Sequence, residues 1–92
     1  MFEFTDGEQV ITAVLFEDTH RSAHNAFNII NDVPLDEIVA PHRAIDYVMN
    51  NEQITLRNGE VVGYGEYIIK DSKGEVRRCS ASDFIETYRP MD

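Results

Sequence analysis

Residues 53–79, QITLRNGEVVGYGEYIIKDSKGEVRRC, decide the fold class, because their apolar residues alternate with polar ones between two short turn signals. The apolar residues Ile54 and Leu56 precede the turn-forming pair Asn58-Gly59. This pair accepts the positive φ angles of a type I′ turn, so the pattern predicts a hairpin that returns through Val61-Val62.

A second hairpin is predicted to follow directly. The two glycines that flank Tyr64 are expected to bend or bulge the chain before a strand over 67–70. Residues 71–74 form the predicted turn, with Gly74 suited to a left-handed position, and 75–79 form the returning strand. Connections this short join antiparallel strands only.

The region before these hairpins combines one strand with a helix. A short run that is apolar on both alternating faces predicts a covered central strand from about 8 to 16. Apolar residues then recur at three- and four-residue spacing, which predicts a helix from about 20 to 31 capped by Asp18 or Thr19. Pro34 ends this helix, because its ring cannot continue the helical backbone.

Two further helices complete the pattern. After a short turn over 35–40, Pro41 is predicted to occupy the first turn of a second helix that stops near Asn50-Asn51. Its predicted apolar stripe contains Ala44, Ile45, Val48 and Met49. Ser80 is predicted to cap a last short helix, closed by Pro90. This helix is expected to cover the second hairpin with Phe84, Ile85 and Tyr88.

The element order predicts a single α+β domain over residues 1–92. Its sheet is mainly antiparallel with about four strands, two helices follow the first strand, and a short helix lies near the C-terminus. A doubly wound parallel sheet is disfavoured, because the last strands are joined by turns too short for parallel crossovers.

Composition limits the function. The chain has 92 residues and a net charge of −9, and its first 60 residues hold eleven acidic residues against three arginines. A chain of this length buries one modest core but no insulated cavity of cofactor size. The single cysteine, Cys79, allows no internal disulfide, and no apolar run approaches the roughly 18 residues that span a bilayer. We therefore expect a cytoplasmic protein without a membrane partner.

The C-terminal third resembles a signature of a widespread group of small bacteriophage proteins, which runs PGDYIIKGVKGEFYPCKPDIFEKTYEPV. The matching segments here are GEYIIK (65–70), KGE (73–75), Cys79 and DFIETYRP (83–90). The segment ITAVLF (11–16) echoes the VEAVQF strand that often precedes the signature. The resemblance covers about the last 28 residues and implies a phage or prophage origin and a compact sheet-plus-helix module.

This sequence departs from the signature at two positions. Tyr64 stands where the phage group has proline, and Glu66 stands where it has aspartate. A tight turn built by the Pro-Gly-Asp unit is therefore altered here. The group has no general activity that we can assign, so the resemblance transfers no site.

The histidines suggest one alternative chemistry. His20 and His24 are four residues apart and would share a helix face, as two metal ligands do. The candidates for a third ligand are His42, Glu17 and Asp18. The segment HRSAH places Arg21 where a zinc protease needs glutamate, which excludes hydrolysis by that route. Histidines exposed at a helix start are the favoured interpretation, so no metal or cofactor is predicted.

Cys79 suggests a second alternative, in which nearby cations activate its thiol as a nucleophile. The favoured interpretation is that Cys79 packs as a small apolar residue at the end of a strand. The chain has no phosphate-binding, dinucleotide-binding or serine-hydrolase motif, so it is predicted not to be an enzyme. The basic cluster Lys70, Lys73, Arg77 and Arg78, with Tyr67, suggests phosphate contacts. Direct nucleic-acid binding is not expected at a net charge of −9.

The favoured hypothesis is a small acidic phage accessory protein that binds a basic host or phage protein and inhibits it or imitates nucleic acid. The predicted partner-binding residues are Glu17, Asp18, Asp32, Asp36, Glu37, Asp46 and Glu52. A second hypothesis is a structural phage component that forms a homo-oligomer through the terminal hairpin or an open sheet edge. The third is a small metal- or ligand-binding protein that uses the histidines and Cys79.

Overall fold

A computed structural model describes residues 2–91 and confirms the α+β class, with three helices and a mainly antiparallel sheet. The strands are β1 (Glu3–Thr5), β2 (Val10–Leu15), β3 (Gln53–Thr55), β4 (Val61–Gly63), β5 (Tyr67–Lys70), β6 (Val76–Cys79) and β7 (Arg89–Pro90). The helices are α1 (His20–Ile30), α2 (His42–Asn51) and α3 (Ala81–Thr87).

The main sheet has five strands in the order β6-β5-β2-β1-β7, and every neighbouring pair is antiparallel. β2 is the middle strand, as its two apolar faces predict, although it spans 10–15 and not 8–16. Thr12 is paired with Glu3 of β1 on one side and with Lys70 of β5 on the other. β3 and β4 form a separate two-stranded sheet.

The main sheet separates two apolar clusters because successive β2 side chains point to opposite faces. Val14 and Phe16 pack with α1, α2 and the small sheet, in a cluster completed by Ala23, Ala26, Ile29, Ile45, Val48, Ile54, Leu56, Val62 and Ile68. Ile11 and Ala13 pack on the other face, with Ile69, Cys79, Phe84 and Tyr88. The sheet is therefore covered on both faces, by α1 and α2 on one side and by α3 on the other.

Both long helices begin close to their predicted starts. The Thr19 hydroxyl caps α1 by accepting the Ser22 backbone N–H at 3.1 Å. Pro41 is the residue before α2 and does not lie in its first turn. α2 ends at Asn51, where Glu52 adopts the left-handed conformation with φ 56°.

The turn between β3 and β4 corrects the type I′ prediction. Gly59 has φ +91°, but Asn58 lies outside the left-handed region. The Leu56 N–H donates to the Glu60 carbonyl at 2.8 Å, and the Gly59 N–H donates to the Leu56 carbonyl at 3.0 Å, which defines a three-residue loop. The Asn58 side chain explains the difference, because its Oδ1 accepts the Glu60 N–H at 2.9 Å. Gly74 has φ +86°, as predicted.

The structure differs from the sequence-based predictions in two other ways. β1 and β7 were not predicted, because strands of three and two residues carry no recognisable alternation. Ile85 was predicted to cover the hairpin, but its side chain is 73% exposed. Phe84 lies on the buried side of α3, and Tyr88, the residue directly after the helix, is also buried, whereas Ile85 points about 100° away from Phe84.

Candidate protein-binding face

Three large apolar side chains are exposed close together in the sequence. Ile38 is 68% exposed, Val39 is 51% exposed and Tyr47 is 70% exposed. They belong to the connection between α1 and α2 and to the outer side of α2, which together we call the α2 face (residues 36–47). A concentration of exposed apolar side chains is typical of a protein interaction site.

An open groove of about 930 Å³ lies on the α2 face. Its walls are formed by Pro41, His42, Arg43, Ala44, Asp46 and Tyr47. The tyrosine ring supplies a large apolar surface with a polar end, which suits the centre of a protein interface.

The sequence places Tyr47 outward because α2 buries its opposite side. Ile45 and Val48 are buried in the core, and position 47 lies about 200° around the helix from Ile45 and about 100° from Val48. The predicted stripe correctly contained Ile45 and Val48, with Met49 partly buried against the same core. Tyr47 lies outside that stripe and is not among the predicted partner-binding residues.

Two side chains of α1 hold the backbone of the connection before α2. The fully buried Asn28 donates from Nδ2 to the Pro34 carbonyl at 3.0 Å and to the Glu37 carbonyl at 2.6 Å. Arg21 donates from Nη2 to the Leu35 carbonyl at 2.5 Å. These bonds hold the main chain, while the exposed side chains of Ile38 and Val39 remain available to a partner.

Carboxylates flank the apolar side chains of the α2 face. Asp36 and Glu37 are exposed and form no ion pair within residues 2–91. Asp46 lies on the groove wall, 3.3 Å from His42 one helical turn earlier. Three of the seven predicted partner-binding carboxylates therefore belong to this face.

The other four predicted carboxylates lie in different local settings. Glu17 is exposed after β2. Asp18 and Glu52 approach the Tyr64 hydroxyl, whose pKa is raised mainly by burial and further by these two charges. Asp32 bonds the Lys70 ammonium, and this bond lowers the pKa of its carboxyl. Asp32 is thus the predicted contact residue whose charge is already balanced.

The histidines gain no third ligand in the part of the chain that the structure describes. No group of three or more histidine, cysteine, aspartate or glutamate side chains converges there. Burial lowers the pKa of His24, and the neighbouring Arg21, His20 and His42 lower it further. The neutral form of the His24 imidazole is therefore favoured.

Cys79 is buried in the apolar core beneath α3. Its side chain is 9% exposed and belongs to the cluster beneath α3. Burial raises the pKa of the thiol, and this outweighs the lowering by Arg77. A protonated thiol is a poor nucleophile, so the geometry gives no support to cysteine chemistry.

The basic cluster is divided between the two faces of the main sheet. Lys70 bonds Asp32. Arg78 meets the Glu66 carboxylate, with Nη2 at 2.5 Å and Nε at 2.7 Å from Oε2. Arg77 donates to the Tyr88 hydroxyl at 2.8 Å on the α3 side. Three of the four cations of the cluster are therefore bonded within the fold, which makes it a poor phosphate-binding platform.

The two outer strands of the main sheet are protected against pairing. On β6, the Glu60 carboxylate accepts the Arg78 backbone N–H at 3.0 Å, and Asn58 donates to the Val76 carbonyl at 3.4 Å. The bond from Arg78 lowers the pKa of Glu60, with a further contribution from Asn58. β7, at the opposite edge, has two residues and includes Pro90, which lacks an N–H. These features disfavour self-assembly by pairing of the outer strands.

Comparison of the chain with protein-family models, curated proteins and solved structures finds no match. No helix within residues 2–91 has the length and apolar character needed to cross a bilayer.

The sequence patterns predict Asp36, Glu37 and Asp46 as contact residues but do not predict the apolar part of the α2 face. Ile38 and Val39 fell within a predicted short turn, and Tyr47 fell outside the predicted stripe of its helix. A usable signal was present, because large apolar residues that no predicted core position absorbs are candidates for contact with another molecule.

Proposed function

We propose that the protein acts by binding a basic partner protein through the α2 face. The observation that carries this proposal is the exposure of Ile38, Val39 and Tyr47, each more than half exposed, within one short segment that also contains Asp36, Glu37 and Asp46. The apolar side chains supply contact area, and the carboxylates favour a partner with Lys and Arg around its own contact site.

A protein fits this face better than a nucleic acid does. The chain carries a net charge of −9, which repels phosphate backbones and attracts basic surfaces. We propose that the partner is a nucleic-acid-binding protein, because the surface it uses for phosphates would also accept the carboxylates of the α2 face. Binding would then inhibit the partner by occupying that surface.

The proposed setting is the cytoplasm of a bacterium, with a phage or prophage gene as the source. This part of the proposal rests on the resemblance of the C-terminal third to the phage signature. In this setting the chain is an accessory protein that interferes with host or phage proteins and performs no catalysis itself.

The proposal is tested by capturing proteins from a nuclease-treated bacterial lysate on the immobilised chain and titrating the purified captured protein against variants. We expect Tyr47→Ala to weaken binding at least tenfold, since central aromatic residues contribute roughly 2 kcal/mol or more to such interfaces. The matched control is Ile85→Ala on α3, whose side chain is 73% exposed. This control should leave the affinity unchanged.

Charge is tested with a second matched pair. The double variant D36N/E37Q removes two charges from the α2 face, and E75Q/E86Q removes two charges from exposed residues elsewhere. Only D36N/E37Q should weaken binding and flatten its salt dependence. Equal effects of both pairs would indicate nonspecific attraction to a negative chain, and binding that salt does not affect would exclude a charge-directed complex.

A further inference from the structure

The small sheet has an open side at β3. This sheet consists of β3 and β4, so within residues 2–91 β3 has a neighbouring strand on one side and none on the other. The main chain of such an edge strand is able to pair with another extended chain. β3 is therefore a candidate for pairing with a segment of another molecule.

The register of the hairpin shows which peptide groups of β3 point outward. The Leu56 N–H donates to the Glu60 carbonyl at 2.8 Å, and bonded and non-bonded pairs alternate along an antiparallel ladder. Thr55 and Gln53 therefore belong to non-bonded pairs. Their N–H and C=O groups point away from β4, and both residues are exposed.

The other edge of the same hairpin supports this register and is already occupied. Gly63 is the β4 partner of Gln53, so its peptide groups also point outward. The Gly63 N–H donates to the Glu66 carboxylate at 2.8 Å, and its carbonyl accepts the Glu66 N–H at 3.2 Å. Glu66 thus covers the outer edge of β4, whereas Gln53 and Thr55 line a cleft.

This cleft lies between β3 and the C-terminal halves of α1 and α2. Its volume of about 430 Å³ is within the range of ligand-binding pockets. Phe27 and Ile30 of α1 supply an apolar wall. All of its lining residues lie between positions 27 and 57, far along the chain from both ends of the described region.

Arg57 gives the cleft a positive charge. Its Nη2 donates to the Asn31 Oδ1 at 3.0 Å, and its side chain forms no ion pair within residues 2–91. No residue that lines the cleft is acidic, although the chain has a net charge of −9. The cleft therefore suits a carboxylate, which binds an arginine through charge-assisted hydrogen bonds.

We propose that this cleft binds an extended peptide segment that pairs antiparallel with β3 and carries an acidic side chain for Arg57. Strand addition of this kind takes its affinity from main-chain bonds and its selectivity from neighbouring side chains. The peptide residues opposite Thr55 and Gln53 each exchange an N–H and a C=O with β3. The side chains between them point the same way as Ile54, which packs in one cluster with Phe27 and Ile30, so apolar residues are favoured there.

This site goes beyond the proposed function. It is distinct from the α2 face, although Tyr47 borders both. The α2 face is proposed to bind a basic partner, whereas this cleft selects an acidic segment. Peptide binding at β3 is therefore measured independently of any partner of the α2 face.

The proposal is tested on the ¹⁵N-labelled protein with the peptide N-acetyl-Glu-Val-Thr-Val-Thr-amide. Its central threonine lies opposite Thr55 and its glutamate opposite Arg57, so we expect saturable shifts of the Gln53 and Thr55 amide signals. N-methylation of the central threonine nitrogen removes a donor that faces β3 and should weaken binding several-fold. N-methylation of the following valine nitrogen, which faces away, should leave the affinity nearly unchanged. No shift at up to about 10 mM, shifts elsewhere only, or equal affinities of the two methylated peptides would overturn the proposal.

The charge preference is tested with a matched pair of variants. Arg57→Gln should weaken binding of the peptide several-fold, whereas Lys73→Gln, which removes one positive charge from an exposed turn, should not. A peptide with glutamine in place of glutamate should bind the natural chain as weakly as the acidic peptide binds Arg57→Gln. Equal weakening by both variants would show an effect of net charge alone and would overturn the role of Arg57. Equal binding of the two peptides to the natural chain would overturn the acidic preference without the use of a variant.

Discussion

The C-terminal hairpin with α3 and the α2 face use their aromatic and charged side chains in opposite ways. Around the hairpin, Phe84 stacks on Tyr67 with ring centroids 3.8 Å apart, and Arg78 bonds Glu66. On the α2 face, Tyr47 is 70% exposed and Glu37 has no ion pair within residues 2–91. These side chains of the hairpin region have partners within the fold, whereas Tyr47 and Glu37 remain exposed.

This difference separates the scaffold from the proposed recognition surface. A side chain that already has its partners contributes to stability when it is present and lowers stability when it is removed. An exposed side chain contributes little to the folded state, so its removal should affect binding and leave stability nearly unchanged. The following predictions test this division, beginning with the largest expected change in the free energy of unfolding.

Phe84→Ala should produce the largest loss of stability, about 3–5 kcal/mol. The ring packs against three other aromatic rings, those of Phe4, Tyr67 and Tyr88, and is only 4% exposed. The measurement is urea unfolding. The neighbouring Ile85→Ala serves as the control and should change the free energy by less than about 0.5 kcal/mol. Similar losses in both variants would show that α3 does not have one buried and one free side.

Glu66→Ala should lower stability by about 1–3 kcal/mol. Its Oε1 accepts the Gly63 N–H at 2.8 Å, and its Oε2 meets the Arg78 guanidinium. The side chain of Glu66 is only 25% exposed, so water does not fully replace these bonds. Glu75→Ala, at an exposed carboxylate without an ion pair in the described chain, provides the comparison in the same unfolding experiment. An equally small effect at both positions would contradict the scaffold role of Glu66.

The hairpins could be predicted from sequence because their signals are local. Alternation, the turn glycines and the Ser80 cap each depend on a few neighbouring residues, and the Ser80 hydroxyl does accept the Asp83 N–H at 3.3 Å. β1 and β7 could not be predicted, since strands so short are stabilised by their pairing partners, which lie elsewhere in the sequence. The position of β3 and β4 in a separate sheet depends on the same long-range packing.

The candidate site was predictable only in part. Charge counting includes Asp36, Glu37 and Asp46 among the predicted contact residues, because charge is a property of the sequence itself. The exposure of Tyr47 depends on which side of α2 meets the core, and the turn over 35–40 gave no indication that its apolar side chains face outward. The bonds from Asn28 that fix this connection join residues six and nine positions apart and carry no sequence motif.

His24 should give the protein a moderate dependence of stability on pH. Its pKa in the folded protein is lowered from 6.5, so the unfolded chain binds more protons as the pH falls. The stability that depends on a neutral His24 is complete above about pH 6.5 and is lost as the pH decreases below that value. Thermal unfolding between roughly pH 7.5 and 5.5 should show this loss in the natural chain and a flatter profile in His24→Gln. A profile unchanged by the substitution would mean that burial does not hold His24 neutral.

Tyr47→Ala should have the smallest effect on stability, within about 0.5 kcal/mol, because its side chain already contacts water and alanine favours the helix. Chemical denaturation measures this change, and Ile38→Ser extends the test to the connection before α2. The comparison between the two regions depends on this result, since binding lost by a variant that also unfolds would say nothing about recognition. A loss above about 1 kcal/mol in Tyr47→Ala would make the α2 face part of the scaffold. Unchanged stability together with lost binding would show that these exposed side chains serve the partner and not the fold.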